Sequence, residues 1–286
     1  MKVQDIDLYQ SYALAPPPGA AATLTVWSYK TPTQIGEGRK RPGVLILPGG
    51  AYRWTSDREP EPVALRFAAL GYIPFVLRYS CAPQSFPTAL REAAMAMRYI
   101  REHALEFDVS PHMVAAIGFS AGGHLCGTLG TMYDGEEVAD IAPASLIRPD
   151  VLGLCYPVAV SWGRTHEESF ENISAGDREL RQRLSLDKLV RKDMPPVFLW
   201  HTRQDASVPC RNSLILACAL EEAGVDFAFH LYHRGRHGLS NADETVYPAE
   251  QIPLVSWDVP GWLNAMVRFF EEQGLKIRDG EDLKNE

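Results

Sequence analysis

Cysteine is scarce in this sequence, which has 5 in 286 residues and no C-x-x-C pair. The cysteines are Cys81, Cys126, Cys155, Cys210 and Cys218. An odd number, scattered over a chain of this length, predicts reduced and mostly buried thiols. The pattern therefore gives no indication of a disulfide framework, and a core of this size does not need one.

Positively charged residues are also outnumbered, because the sequence has 28 Lys and Arg but 36 Asp and Glu, for a net charge of -8. This balance argues against a nucleic-acid partner, which requires a basic face. No apolar run approaches the length of a membrane span. The first seven residues lack the apolar segment of a signal peptide. We therefore expect a cytoplasmic protein that binds neither nucleic acid nor membrane.

Short apolar runs alternate with helical segments from residue 44 towards the C-terminus. Strands are predicted at residues 23–29, 44–47, 72–77, 114–117, 151–156, 197–200 and 227–232, and helices at residues 62–70, 86–103, 212–223 and 261–272. This alternation is typical of repeated βαβ units, which form a mostly parallel sheet with helices on both faces. Because no linker or internal repeat interrupts it, the sequence predicts one α/β domain over residues 1–286.

One segment does not follow the alternation. Residues 161–193 are polar and charged, and they separate two predicted strands by more than a plain connection requires. We expect this segment to be a small cap-like insertion near the carboxyl edge of the sheet, where it could contact a substrate.

Residues 114–127 contain the sequence around which the rest of the chain can be organised. An apolar run with β-branched residues ends at Gly118, and residues 118–122 then spell G-x-S-x-G around Ser120. A strand, a sharp turn and a helix with this pattern form a nucleophile elbow, in which the serine hydroxyl is exposed at the carboxyl end of the sheet. An ordinary βα turn would have the same glycines, so the interpretation depends on the rest of the chain.

A serine nucleophile needs a base and a group that orients the base. Asp205 directly follows the predicted strand at residues 197–200, and His237 follows the predicted strand at residues 227–232. The order Ser120, Asp205, His237 is the order of the α/β-hydrolase triad. Either residue alone is more typical of a loop, but their joint placement after strands favours the triad.

Three other histidines are weaker candidates for the base. His201 ends a predicted strand and is more typical of a buried, hydrogen-bonded residue. His233 comes one residue after a strand, which suits a rim position, and His124 lies on the helix after the elbow and should pack inside.

Acyl chemistry also needs N–H donors where negative charge develops on the carbonyl oxygen. The backbone N–H of Ala121 is one candidate, because it follows the serine in the elbow. Gly50 and Ala51 are the others, since they follow the buried strand at residues 44–47 and have little bulk. A plain tight turn would also suit these glycines.

Together these segments resemble a known family. The motifs are Pro-Gly-Gly-Ala-Tyr, Gly-Phe-Ser-Ala-Gly-Gly-His-Leu, His-Thr-x-x-Asp-x-x-Val-Pro and Gly-x-His-Gly-Leu-Ser. They are similar to those of α/β-hydrolase esterases related to acetyl-xylan and feruloyl esterases, and to the wider hormone-sensitive-lipase-like group. The resemblance extends over about residues 20–272. Pro48 and Ala51 replace the first His and last Gly of the usual His-Gly-Gly-Gly, which points away from lipases and towards carbohydrate esterases.

The resemblance implies the α/β-hydrolase fold and a serine carboxylesterase mechanism through an acyl-enzyme, with no metal or cofactor. Ser120 would be the nucleophile, His237 the base and Asp205 the orienting acid, with Gly50, Ala51 and Ala121 as oxyanion donors. The substrate would be a small-molecule or oligosaccharide ester, such as an acetylated sugar or xylo-oligosaccharide. Residues expected near it are Tyr52, Arg53, Trp54, Trp162 and His166.

Other functions remain open at this point. A general short-chain carboxylesterase would use the same residues. A serine peptidase of the prolyl-oligopeptidase type would too, although those enzymes usually carry an extra N-terminal domain for which we expect no room in 286 residues. A non-catalytic binding protein on the same fold is the least favoured alternative.

Overall fold

A computed structural model of the chain describes residues 1–32, 34–35, 38–248, 250 and 257–279. Within this part of the chain, eight strands form one sheet in the order β1-β2-β4-β3-β5-β6-β7-β8. The strands are β1 (Lys2–Asp7), β2 (Thr23–Ser28), β3 (Arg41–Leu47), β4 (Ile73–Arg78), β5 (Val109–Phe119), β6 (Val151–Cys155), β7 (Val197–Thr202) and β8 (Phe227–Tyr232). The seven predicted strands all lie within these bounds or extend one residue past them.

Helices connect the strands and cover the sheet. They are α1 (Leu8–Ser11), α2 (Glu61–Ala69), α3 (Thr88–Glu102), α4 (Ala121–Met132), α5 (Ala144–Ile147), α6 (Glu167–Ser174), α7 (Arg178–Arg183), α8 (Leu186–Leu189), α9 (Arg211–Ala223) and α10 (Trp262–Glu272). The four helices predicted by residue range correspond to α2, α3, α9 and α10, and the helix predicted after the elbow is α4. Strands β3 to β8 pair in parallel, and β1 and β2 pair antiparallel at one edge.

Apolar side chains on both faces of the sheet are buried, as expected for a parallel sheet. Along β5, Ala116 belongs to one hydrophobic cluster and Ile117 to the other. Helices α3, α4 and α9 pack in the first cluster, and α2 and α10 in the second. The predicted α/β architecture, with helices on both faces of a mostly parallel sheet, is therefore confirmed.

The polar segment at residues 161–193 contains the three short helices α6, α7 and α8. It is well packed, because Phe170, Leu184 and Leu186 are fully buried. Its backbone is also held against the chain that follows β6, since the N–H of Leu186 donates to the carbonyl of Ala159 at 2.8 Å. The segment therefore has a fixed path along the body of the fold.

The described residues contain neither a disulfide bond nor a helix that could span a membrane. The five cysteines are free thiols, and Cys126 and Cys155 are fully buried. In the residues that the structure describes, no helix has the length and apolar character needed to cross a bilayer.

Candidate active site

Ser120 occupies the turn between β5 and α4, with φ 54° and ψ -116°. An L-residue adopts this backbone conformation only when the surroundings enforce it. Here the N–H of Ser120 donates to the carbonyl of Cys155 at 3.0 Å, and its carbonyl accepts from the N–H groups of His124 and Val158 at 3.1 Å. The neighbouring strand and the new helix thus hold the turn from both sides.

The two glycines of the pattern are required by close backbone approaches. A Cβ at Gly118 would lie 2.0 Å from the carbonyl oxygen of Gly122, and one at Gly122 would lie 2.1 Å from that of Leu47. Real Cβ atoms do not approach backbone this closely, so the turn would have to open. The glycines therefore allow β3, β5 and α4 to meet at Ser120.

We expect Gly122→Ala to destabilise the fold by about 3 kcal/mol or more, because the clash is with backbone that cannot move aside. Any hydrolysis that depends on Ser120 should fall at least about 100-fold in the folded fraction, since the turn that aims Ser120 is displaced. Thermal unfolding and hydrolysis of p-nitrophenyl acetate measure the two effects.

Gly261→Ala is the matched control. Gly261 has φ -77°, and a Cβ there would have no heavy atom within 4 Å. A Gly122→Ala protein with the melting temperature and rate of Gly261→Ala would show that the close packing of the turn is not needed.

His237 lies on the loop after β8, with its imidazole over the serine. The Ser120 hydroxyl lies 2.7 Å from Nε2 of His237. The edge of the Tyr156 ring packs against the imidazole at a centroid distance of 5.1 Å. The far ring nitrogen, Nδ1, lies 2.6 Å from Oδ2 of Asp205. Because the carboxylate can only accept, Nδ1 carries the proton and Nε2 is free to accept from Ser120.

Asp205, on the loop after β7, has a fully buried side chain. Its Oδ1 accepts from the N–H groups of Ser207 and Val208 at 3.0 and 2.8 Å. Burial alone would raise the pKa of Asp205, but the hydrogen bonds from His201 and His237 outweigh it and lower the pKa to about 2. Asp205 is therefore an ionised, rigidly held partner for His237.

A loop after β3 supplies backbone N–H groups on the other side of Ser120. Gly50 has φ 129° and Ala51 has φ 58°. Among the described residues, nothing accepts from the N–H groups of Gly50, Ala51 or Ala121. The carbonyl of Ala51 is held from α6, because Nδ2 of Asn172 donates to it at 2.9 Å.

A cavity of about 170 Å³ opens at this point, and Gly50, Ala51, Ser120 and His237 line it. The rest of its wall is polar or aromatic, with side chains from Trp54, Arg58, Glu59, His166 and Glu168. Within the described residues, no cluster of His, Cys, Asp or Glu side chains is arranged to hold a metal ion. The arrangement is suited to a small carbonyl substrate that is attacked by a serine.

Comparison with known proteins shows to which family the chain belongs. A family model described as BD-FAE matches residues 32–146, and the model of the prolyl oligopeptidase family matches residues 91–253. The crystal structure of an acetyl ester-xyloside bifunctional hydrolase from Caldicellulosiruptor lactoaceticus is 32% identical, with a TM-score of 0.75, and the match covers 92% of this chain and 96% of that one.

The chain belongs to the α/β-hydrolase superfamily.

Two further similarities indicate which α/β-hydrolases it resembles. A carboxylesterase from Lactobacillus plantarum is 26% identical with a TM-score of 0.82, and the match covers 96% of this chain and 99% of that one. An endo-1,4-beta-xylanase B from Butyrivibrio fibrisolvens is 35% identical over 220 residues, which are 73% of this chain and 34% of that protein. The chain spans from 34% to 52% of the length of the curated relatives it matches.

Three other histidines that the sequence offered as the base, His124, His201 and His233, do not line the cavity beside Ser120. His201 is fully buried and lies 2.7 Å from Oγ of Ser213 and 2.9 Å from the carbonyl of Val208. His124 is also buried, and its Nε2 donates to the carbonyl of Leu184 at 2.7 Å. Burial lowers the pKa of His124 to about 4. His233 is exposed.

The residues expected near the substrate divide into two groups. Trp54 and His166 line the cavity. Arg53 and Trp162 lie outside its lining on the exposed surface, where Arg53 pairs with Glu168 at 3.3 Å and the indole N–H of Trp162 donates to Asp187 at 3.1 Å. Neither Arg53 nor Trp162 contacts the cavity, so the structure does not support a role for them in substrate binding.

The expectation for Tyr52 is wrong. Its side chain is 2% exposed, and its hydroxyl donates to Nδ1 of His124 at 2.7 Å. The reason lies in the backbone, because Ala51 and Tyr52 both have positive φ values, 58° and 57°. This turn directs the tyrosine into the core, where it joins the hydrophobic cluster under α4.

Glu59 is a cavity residue that the sequence did not indicate. It is 3% exposed, and its carboxylate accepts from the N–H of Gly49 at 2.7 Å and from the hydroxyl of Tyr156 at 2.8 Å. These partners lie 10 and 97 residues away along the chain. No local pattern could have pointed to them.

Proposed function

We propose that this α/β-hydrolase is a serine carboxylesterase with Ser120 as nucleophile, His237 as general base and Asp205 as the group that orients His237. The observation that carries the proposal is the hydrogen-bonded series from Ser120 through His237 to Asp205, with distances of 2.7 and 2.6 Å. Such a series beside unused backbone N–H donors is the arrangement that acyl transfer requires.

The reaction follows from the positions of the protons. His237 takes the hydroxyl proton of Ser120 at Nε2 as Oγ attacks the ester carbonyl. The N–H groups of Gly50, Ala51 and Ala121 stabilise the oxyanion that forms. The tetrahedral intermediate then collapses, His237 returns the proton to the leaving alcohol, and an acyl-enzyme remains. Water, activated by His237 in the same way, attacks the acyl-enzyme and releases the acid.

The substrate class we propose is an acetylated sugar or xylo-oligosaccharide. A cavity of about 170 Å³ has room for a short acyl group. At the rim, the exposed indole of Trp54 can cover the C–H face of a sugar, and Arg58 and Glu168 can bind its hydroxyls. The similarity to an acetyl ester-xyloside hydrolase and to a xylanase supports this choice.

The direct test is acetate release from acetylated xylo-oligosaccharides, followed by mass spectrometry, beside p-nitrophenyl esters of rising chain length. We expect deacetylation of the sugar, and rates that fall beyond the shortest p-nitrophenyl esters because the cavity is small. Trp54→Ala should raise KM for the sugar about tenfold and leave p-nitrophenyl acetate nearly unchanged, since only the sugar reaches the rim.

Trp257→Ala provides the control, because Trp257 is 93% exposed and lies outside the cavity lining. If no glycan releases acetate while p-nitrophenyl acetate is hydrolysed normally, the sugar substrate is wrong. The protein would then be a general short-chain carboxylesterase.

A peptidase is the second candidate, because the prolyl oligopeptidase model matches residues 91–253. A proline-containing peptide p-nitroanilide distinguishes the two, since the esterase proposal predicts negligible cleavage. A fluorophosphonate probe tests both against a non-catalytic binding protein, which would leave Ser120 unlabelled.

A further inference from the structure

Glu59 connects the loop after β3, which contains Gly50 and Ala51, to the loop after β8, which contains His237. It lies between β3 and α2, and Oε2 of its carboxylate accepts from the N–H of Gly49 at 2.7 Å. Gly49 directly precedes the proposed oxyanion donors Gly50 and Ala51. The carboxylate therefore fixes the base of the oxyanion loop.

The other carboxylate oxygen is connected to the loop that carries His237. Oε1 of Glu59 accepts from the hydroxyl of Tyr156 at 2.8 Å, and that hydroxyl accepts from the N–H of Ser240 at 2.9 Å. Ser240 closes the circuit, because its hydroxyl donates to the carbonyl of Arg58 at 2.7 Å. One buried carboxylate thus holds both the oxyanion loop and the His237 loop.

The hydrogen bonds of Glu59 are those of an ionised carboxylate. Both oxygens accept, and the Tyr156 hydroxyl already accepts from Ser240, so a proton on Glu59 would leave a donor without a partner. Burial raises the pKa of Glu59 above its usual range, and the hydrogen bonds from Gly49 and Tyr156, with His237 and Arg58 nearby, offset only part of this rise.

The charged and titratable groups near His237 come from several elements. They are Asp205 and, behind it, His201 on the β7 side, Glu59 and Arg58 before α2, Tyr156 after β6, and His166 and Glu168 at the start of α6. Glu59 is the buried negative charge among these besides Asp205, since Glu168 is exposed and pairs with Arg53. A negative charge nearby favours the imidazolium that forms in the transition state.

We propose that Glu59 is a positioning residue of the active site, which locks the oxyanion loop to the His237 loop and stabilises protonated His237. This inference rests on the proposed esterase function. A residue with this role affects the chemical step more than substrate binding, because both loops act on the transition state.

The test is Glu59→Gln, which keeps the shape of the side chain but turns one acceptor into a donor. We expect kcat for p-nitrophenyl acetate to fall about 10- to 100-fold, and KM to change less than about threefold. The acidic limb of the pH profile of kcat/KM should move to lower pH, because the variant lacks one negative charge beside the proposed base.

Glu92→Gln is the matched control. Glu92 is also a fully buried carboxylate, and it accepts from a tyrosine hydroxyl, Tyr9, and from a backbone N–H, Ser80, at 2.9 and 2.6 Å. The two variants should lose comparable stability, but Glu92→Gln should keep the wild-type kcat and pH profile.

Tyr156→Phe makes the test independent of how well Glu59→Gln folds. It keeps the Glu59 carboxylate and its bond to Gly49 but removes the Tyr156 hydroxyl, which joins Glu59 to the N–H of Ser240, so kcat should again fall while KM is kept. An unshifted pH profile in Glu59→Gln, or kcat losses equal to those of Glu92→Gln, would overturn the role of Glu59. Absence of fluorophosphonate labelling at Ser120 in the wild-type protein would instead overturn the esterase function itself.

Discussion

Replacing Ser120 by alanine should lower kcat for p-nitrophenyl acetate by about 10⁵- to 10⁶-fold and abolish labelling by a fluorophosphonate probe. The hydroxyl is the only nucleophile within hydrogen-bonding distance of His237 among the described residues. The variant should still fold, because the turn is held by backbone hydrogen bonds and by Gly118 and Gly122, none of which involve the hydroxyl.

Two further serine variants make this result specific. Ser110→Ala removes a buried hydroxyl from the opposite end of β5 and should keep full activity. Ser120→Gly should be as inactive as Ser120→Ala but more stable by about 1 kcal/mol, because glycine accepts a φ of 54° without strain. Substantial turnover by either Ser120 variant would remove Ser120 from the mechanism.

Asp205→Asn should lower kcat about 10⁴-fold with an intact fold. The asparagine oxygen would accept from the N–H groups of Ser207 and Val208, so its amide nitrogen would face His237. An amide can only donate there, which forces the imidazole to carry its proton on Nε2. That nitrogen could then no longer accept the proton of Ser120.

The same substitution has an effect on stability that depends on pH. The pKa of Asp205 is lowered to about 2 in the folded protein. A lowered carboxyl pKa stabilises the fold above the unfolded pKa, by roughly 2 kcal/mol, and this contribution is lost as pH falls towards the folded value. The difference in unfolding free energy between wild type and Asp205→Asn should therefore shrink between about pH 5 and pH 2.

Asp150→Asn is the control for both effects. Asp150 accepts from the N–H of Val114 at 2.7 Å, at the end of the sheet opposite Ser120. It should leave kcat unchanged. An Asp205→Asn enzyme within tenfold of wild type would show that Asp205 does not set the tautomer of His237.

The sequence allowed the fold and the meeting of Ser120, His237 and Asp205 to be predicted for one physical reason. Buried parallel strands have continuous apolar runs, and the residues that follow them meet at one edge of the sheet. Ser120, Asp205 and His237 each follow such a run, so their positions in the sequence indicated that they lie close together in the fold.

The same reasoning could not predict features that depend on backbone conformation or on contacts with residues distant in the sequence. β1 was missed because, of its residues, only Ile6 is buried, so it lacks an apolar run. The burial of Tyr52 follows from two consecutive positive φ values, one of them at an alanine. Glu59 acts through Gly49 and Tyr156, and a glutamate between polar and proline residues gives no sign of either.

The hydrogen bond from Asn172 on α6 to the carbonyl of Ala51 has a consequence for any attempt to redesign this enzyme. The helical segment that borders the substrate cavity also braces the loop that is expected to receive the oxyanion. Exchanging that segment to admit a bulkier ester would shift the proposed oxyanion donors along with the cavity wall. We therefore expect selectivity and turnover to be mechanically coupled in the proposed esterase, so a library that varies α6 should keep Asn172 fixed.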